Sequence, residues 1–401
     1  MDDILHRFNP WWESDIEFPG IPRVTYLSKL EKLQKTKDVI LLTGLRRVGK
    51  TTLLHQLIFR LLENIDRNRI FYVSLDNLAL KDHTLLEIVD TFRRICSLRY
   101  NEYVFLFLDE IHFQKDYELQ LKNLYDMGHC KIYASGSASL DIVMKSPYLT
   151  GRQRMIRLAP LSFGEYLKFV ESELSMADKH LFPALASEYV RIGGMPEYVQ
   201  TGDPNVLQSL IDSILYRDIA ARHNIRNREN LKDILILVAQ SVSSPISKRK
   251  ISRVLGIKES TVSRILDLFV ESNLIYLIEK EGKLSERKAS PKKIYLADTG
   301  LFTVLTDRIN LGAIVENLVY LTIAKTKNVR YQRFNGQEVD FVFDKRAFES
   351  KFKKDITSED LLAIKTLRGY KSKTVITEDI EGKKEGIDLV PLWKFLLEYK
   401  I

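Results

Sequence analysis

Three groups of residues in this chain have types and spacings that could do chemistry. The first is Gly44-Leu45-Arg46-Arg47-Val48-Gly49-Lys50-Thr51, which fits G-x-x-x-x-G-K-[ST]. It stands between an apolar run, VILLT (39–43), and an amphipathic stretch, TTLLHQLIFRLLEN (51–64). Strand, glycine-bounded loop and helix start are the context this pattern requires. Backbone N–H groups of the loop wrap phosphate oxygens, and the helix N-terminus adds a favourable dipole. The expected nucleotide contacts are Gly44 through Thr51 and the adjacent Thr52. Lys50 reaches the β- and γ-phosphates of ATP, and Thr51 ligates Mg²⁺. A chance glycine-rich turn is the bland alternative, and the strand–loop–helix context argues against it.

The second group is Asp109-Glu110, which closes the apolar run YVFLFLDE (103–110), 59 residues after Lys50. Asp109 is expected to hold Mg²⁺ through water. Glu110 is expected to orient or deprotonate the attacking water. The bland alternative is an acid pair capping the next helix. Aspartate followed by glutamate favours hydrolysis over nucleotide binding alone.

The third group lies near the C-terminus. In EVDFVF, Val339, Phe341 and Phe343 share one face of a strand and Glu338 and Asp340 the other. In FESKF, Glu349 and Lys351 alternate with Phe348, Ser350 and Phe352. A turn at 344–346 pairs the two strands, so Asp340, Glu349 and Lys351 can converge. Glu316, in the preceding helix GAIVENLVY, can add a fourth group. This E…D…ExK constellation is similar to that of PD-(D/E)XK nucleases. The similarity implies Mg²⁺ on Glu316, Asp340 and Glu349, with Lys351 steadying the attacking water. A polar outer hairpin face and a decayed nuclease kept for binding are the alternatives.

The elements that must position these groups follow an α/β pattern. Apolar runs at 39–43, 69–76, 103–110, 131–137 and 154–162 alternate with helical spacings at 51–64 and 84–97. Continuous apolar strands of this kind predict a parallel sheet. Residues 1–30 read as an extended lead-in whose Trp11 and Trp12 pack on the next domain, and 31–162 as the nucleotide domain. Residues 163–225 contain no obvious strand and read as a helical lid, broken at GGMP (193–196).

Residues 226–308 read as a winged helix-turn-helix: SKRKISRVLG and ESTVSRILDLFVES are the helices, and 274–279 and 292–297 the wing strands. Val262, Ile265, Leu266, Phe269 and Val270 form its apolar stripe, with Ser260, Thr261, Ser263 and Arg264 opposite. Residues 246–293 carry twelve Lys and Arg against six Asp and Glu. That segment holds most of the chain's net charge of +8. Lys283, Arg287, Lys288, Lys292 and Lys293 are the expected phosphate contacts if DNA binds here. Winged helices also mediate protein contacts, so a structural wing is the alternative. Residues 309–401 form a separate small α/β unit.

Composition bounds the reading. At 401 residues the chain exceeds one ordinary domain, and 45% hydrophobic residues allow several cores. Cys96 and Cys130 are the only cysteines, too few for a disulfide scaffold or a four-cysteine zinc site, and both read as buried core thiols. No run of 18 apolar residues exists and MDDILHRF lacks the features of a signal peptide, so a soluble, cytoplasmic protein is expected.

From end to end the chain resembles archaeal and bacterial AAA-type ATPases that carry a C-terminal PD-(D/E)XK nuclease-like domain. The resemblance rests on NPWW (9–12), GLRRVGKTT (44–52), LFLDEIH (106–112), SGS (135–137), LTGR (149–152), PLSFGEYL (160–167), GGMPEYV (193–199), YLADTG (295–300) and EVDFV (338–342). It implies a sensor serine, Ser135 or Ser137, facing the γ-phosphate. It also implies an arginine finger at Arg152 acting on a neighbour's site, hence a homo-oligomer. Pro196 would pack on adenine, and Arg217 is a weak candidate for a second sensor. A helix cap at Ser137, an ion pair at Arg152 and a simple helix break at Pro196 are the alternatives.

Overall fold

The structure is a computed structural model and describes residues 1–136, 148–170, 176–225, 227–307, 310–324 and 328–399. Contacts divide it into two compact units, Met1–Ala159 and Pro160–Ile401. Among the described residues no helix is long and apolar enough to cross a membrane.

The first unit is built on a five-stranded, wholly parallel sheet: β1 (Val39–Gly44), β2 (Ile70–Ser74), β3 (Val104–Asp109), β4 (Cys130–Ser135) and β5 (Gln153–Leu158), in the order β2-β3-β4-β1-β5. All of β1 and β3 is buried, as strands covered on both faces require. Helix Lys50–Leu62 buries Leu53, Leu54, Leu57, Ile58 and Leu61. Helix Leu85–Ile95 starts with a reciprocal capping box between Thr84 and Glu87. On the face that packs against it, Trp12, Phe71 and Phe92 form a stack.

The N-terminal segment corrects one expectation. It is helical at Asp2–Phe8 and Pro10–Trp12 rather than extended. The indoles of Trp11 and Trp12 both donate to the Ile70 carbonyl, at 3.1 and 3.0 Å, and Asn9 exchanges hydrogen bonds with the Tyr72 backbone. The segment thereby covers β2, the edge strand of the sheet.

Cys96 and Cys130 are free and only half-buried, at the margin of the core, and burial raises both thiols to about 11.

The second unit begins with helices Phe163–Phe169, Phe182–Ile192, Pro196–Thr201 and Pro204–Asp212, the last continuing to His223. Helices Glu229–Ala239, Lys248–Leu255 and Glu259–Glu271 follow, then an antiparallel pair, β6 (Ile275–Ile278) and β7 (Lys293–Leu296), with a short helix at its tip, Leu284–Ala289. The expected helices and paired strands of this region are thus present as three helices and one antiparallel pair. Helix Leu311–Ile323 leads into a six-stranded mixed sheet. Its strands are β8 (Arg330–Phe334), β9 (Gln337–Phe343), β10 (Arg346–Lys351), β11 (Ser372–Thr377), β12 (Gly382–Lys384) and β13 (Ile387–Pro391), in the order β12-β13-β11-β10-β9-β8. A two-residue turn, Asp344-Lys345, joins β9 to β10 with both residues left-handed, the geometry that matches strand twist.

Candidate functional site

The C-terminal ends of β1, β3 and β4 lie at one edge of the first sheet. Open parallel sheets bind ligands at that edge. From β1 the chain turns through Gly44, whose φ of +145° and position against β5 exclude a side chain: a Cβ there would stand 2.3 Å from the Leu158 carbonyl oxygen. Leu45 and Val48 are buried and anchor the loop, while Arg47 and Gly49 take left-handed backbone angles. A Cβ on Gly49 would meet nothing within 4 Å, so an open cradle lies over its backbone. Helix Lys50–Leu62 starts there, with its N–H groups directed at the cradle. Lys50 is 7% exposed, and its Nζ donates to the carbonyls of Gly44 and Leu45 at 3.2 and 3.1 Å. Thr51 and Thr52 are exposed.

Asp109 is the hub of the site. It is 1% exposed, and its Oδ2 accepts from Thr51 Oγ1 at 2.6 Å and from the Tyr72 hydroxyl at 2.9 Å. Its Oδ1 accepts from Ser135 Oγ and from the Glu110 N–H. Burial, then the Asp109 charge, raise the Tyr72 hydroxyl far above its ordinary range, so it stays a donor. Thr51 and Asp109 thus present a hydroxyl and a carboxylate side by side at the cradle's rim, a donor set that fits Mg²⁺ held largely by water and phosphate.

Glu110 has a left-handed backbone, φ 53°, and its Oε2 lies 3.3 Å from His112 Nδ1. Burial raises the Glu110 carboxyl above its ordinary value, and the nearby Asp109 adds to this, while Lys50 and Arg46 oppose it.

Of the two serine candidates, Ser135 is the one that reaches Asp109; Ser137 lies outside the described residues. Arg152 stands at the opposite edge of the sheet, where its carbonyl accepts from Val39 N at the start of β1. One strand, roughly 20 Å, separates that edge from the phosphate loop. Its side chain lies 3.5 Å from Asp126 and over the Tyr125 ring. Pro196 and Arg217 belong to the second unit. There Pro196 opens a helix at its first position, where proline's missing N–H costs nothing, and Arg217 sits in a helical stretch widened to i→i+5 pairing.

Sequence reasoning assigned no role to Tyr72, His112 or Arg23. Arg23 is 4% exposed and donates to the carbonyls of Val48 and Ala159, bracing the loop from behind. A buried arginine sixteen residues ahead of an apolar strand leaves no local pattern.

The second unit gathers the C-terminal acids, but not as expected. Lys293, on β7, is fully buried, with its Nζ 2.7 Å from Glu316, 2.8 Å from Glu338 and 3.5 Å from Asp340. Its expected role as a wing phosphate contact is therefore corrected: the side chain points inward. Glu316, Asp340 and Glu349, the expected holders of a divalent cation, each have protein partners. Glu316 accepts from Lys293 and from Tyr295, Asp340 Oδ2 from the N–H and hydroxyl of Ser350, and Glu349 from Asp340 N and Lys351 Nζ. Burial, reinforced by the Asp340 charge, raises Glu316 and Glu349 each to about 8. Among the described residues no three His, Cys, Asp or Glu side chains are arranged to hold a metal ion. Elsewhere on the wing, Arg287, Lys288 and Lys292 converge on Glu279.

Comparison with known proteins agrees with the first unit. Residues 36–167 match the family described as an AAA domain, and residues 184–311 match a domain of unknown function, DUF8612. Uncharacterized protein MJ1544 of Methanocaldococcus jannaschii is 27% identical, covering 89% of this chain and 87% of the relative. An uncharacterized protein of Haemophilus influenzae is also 27% identical, over 80% of this chain and 83% of its own length. Among solved structures, the Walker-type ATPase PABY2304 of Pyrococcus abyssi is similar, with a TM-score of 0.44 and 17% identity over 71% of this chain and 95% of that one. The parallel sheet and phosphate loop, with the match across 36–167, make the first unit an AAA-type P-loop domain.

Proposed function

We propose that the first unit hydrolyses ATP with Mg²⁺, and that the second couples this cycle to DNA. The observation that carries the first half is the Thr51–Asp109 hydrogen bond at 2.6 Å, beside Glu110 and the open cradle. Loop N–H groups and Lys50 bind the phosphates. Thr51 and Asp109 would hold Mg²⁺, which would supply charge neutralisation at the γ-phosphate. Glu110 takes a proton from the attacking water, and Ser135 fixes Asp109. Phosphate release from ATP by the purified chain, abolished by EDTA, is the test; turnover unaffected by EDTA would sink the reading.

Arg152 faces away from its own phosphate loop, which favours action on a neighbour. Inactive Arg152→Ala chains mixed with inactive Lys50→Ala chains should then regain part of the wild-type rate. No recovery at any mixing ratio would leave Arg152 as the Asp126 ion pair.

For DNA, the exposed cations of the helix-turn-helix carry the reading better than the wing does. Arg249, Lys250, Arg253 and Lys258 are exposed and make no ion pair among the described residues, and Ser260 and Thr261 are exposed beside them. Of the wing cations, Arg287, Lys288 and Lys292 share Glu279 instead, and Lys293 is buried against other acids. Neutralising Arg249, Lys250 and Arg253 should weaken duplex binding and flatten its salt dependence by about 0.9 in log–log slope per lost phosphate contact. An unchanged slope would assign this face to a protein partner.

A further inference from the structure

Lys293 comes from the wing, whereas the carboxylates around its ammonium come from helix Leu311–Ile323 (Glu316) and from β9 (Glu338 and Asp340). An ammonium has three N–H donors, and here three carboxylates surround it. Tyr295, two residues along β7, donates its hydroxyl to the same Glu316 oxygen at 2.8 Å. The Asp340 oxygen turned away from Lys293 is taken by two donors of Ser350. A divalent cation such as Mg²⁺ needs oxygens at about 2.0–2.1 Å in near-octahedral array. These oxygens close instead on a nitrogen at hydrogen-bond distance.

The wing root is joined to the same sheet by backbone bonds. Glu281 N donates to the Tyr331 carbonyl at 2.7 Å and Tyr331 N to the Glu279 carbonyl at 3.2 Å, so the segment after β6 bridges in parallel to edge strand β8. The Tyr331 hydroxyl donates to the Pro291 carbonyl, and Arg330 pairs with Glu281.

We propose that Lys293 is the resident cation of this acid cluster, held by Glu316 and Asp340, two of the three acids that the nuclease-like pattern would give a metal, and by Glu338. The C-terminal sheet is then a metal-free module that does not cleave phosphodiesters, and the buried ammonium fastens it to the wing. Removing the ammonium leaves a pocket of mutually repelling carboxylates, a site that a divalent cation can enter.

The test is Mn²⁺ binding to the nucleotide-free, full-length protein, followed by electron paramagnetic resonance of the free ion. Wild type and Asp340→Asn should bind Mn²⁺ alike, within about twofold, because no cation site depends on Asp340. Lys293→Met should acquire an added Mn²⁺ site that Asp340→Asn removes, and Mn²⁺ should raise its melting temperature but not that of wild type. Wild-type binding that is tenfold or more tighter than that of Asp340→Asn would overturn the proposal. So would Mn²⁺-dependent plasmid cleavage that Asp340→Asn abolishes, or a folded Lys293→Met that gains no site. If Lys293→Met does not fold, the comparison of wild type with Asp340→Asn still decides.

Discussion

Glu110→Gln should leave ATP bound and nearly stop its hydrolysis. The substitution keeps the side chain's size and removes its ability to accept a proton, and loss of a general base costs roughly 10²- to 10⁴-fold in rate. In the proposed function binding rests on other groups: the loop N–H groups, Lys50, and the Thr51–Asp109 pair. Lys50→Ala should do the reverse and remove binding itself. Titration with a fluorescent ATP analogue, set beside single-turnover hydrolysis, separates the two losses. Equal hydrolysis by wild type and Glu110→Gln would refute the base assignment.

The pH dependence of the same step has a definite direction. Burial raises the Glu110 carboxyl, so Glu110 stays protonated to a higher pH than an ordinary glutamate. A protonated carboxyl cannot take a proton from water. The acid limb of the single-turnover rate should therefore lie at a higher pH than an ordinary glutamate would give.

The parts legible from sequence are those set by local pattern. Five apolar runs became the five strands of the first sheet, and the glycine loop falls between strand and helix as its spacing requires. The hairpin that brings Asp340 to Glu349 followed from alternation alone. What escaped depends on distant partners. Proline and paired tryptophans read as an extended lead-in because the acceptor of both indoles, the Ile70 carbonyl, is almost sixty residues away. Lys293 read as a wing cation because Lys292 and Lys293 adjoin a basic loop. Successive strand residues face opposite ways, however, and Lys293 shares a side with Tyr295, which is fully buried. Both sides of β7 are buried, so parity alone does not single out Lys293, and its acid partners lie 23 to 47 residues onward.

The two motifs GGMP and YLADTG meet within the second unit, and their junction should be the position most sensitive to substitution. Asp298 is 2% exposed, and its carboxylate accepts from Gly194 N at 2.6 Å and Gly300 N at 2.9 Å. Gly193 ends helix Phe182–Ile192 with φ +74°, and a Cβ there would stand 2.2 Å from Asp298 Oδ1 and 2.4 Å from Gly300 N. Neither neighbour is the loose end of a flexible chain. Gly193→Ala should therefore combine backbone strain of about 1–3 kcal/mol, in a region that only glycine adopts readily, with overpacking of about 1–3 kcal/mol.

Asp298→Asn tests the carboxylate itself. Burial raises Asp298 to about 6, and the two backbone donors only partly offset this. The folded state then holds a proton that the unfolded state, near 3.9, has released. Its contribution to stability is complete below about pH 4 and is lost as pH rises through 6, a swing on the order of 3 kcal/mol. Asparagine cannot ionise but offers one oxygen fewer to the two N–H groups, a loss of about 1–3 kcal/mol that does not vary with pH. The gap between wild type and Asp298→Asn should hence be widest near pH 4.5 and narrow or invert by pH 7.5. Urea unfolding of both proteins at the two pH values, followed by circular dichroism, measures it. A gap that stays constant would mean that Asp298 is ionised throughout, and that its two amide donors outweigh its burial.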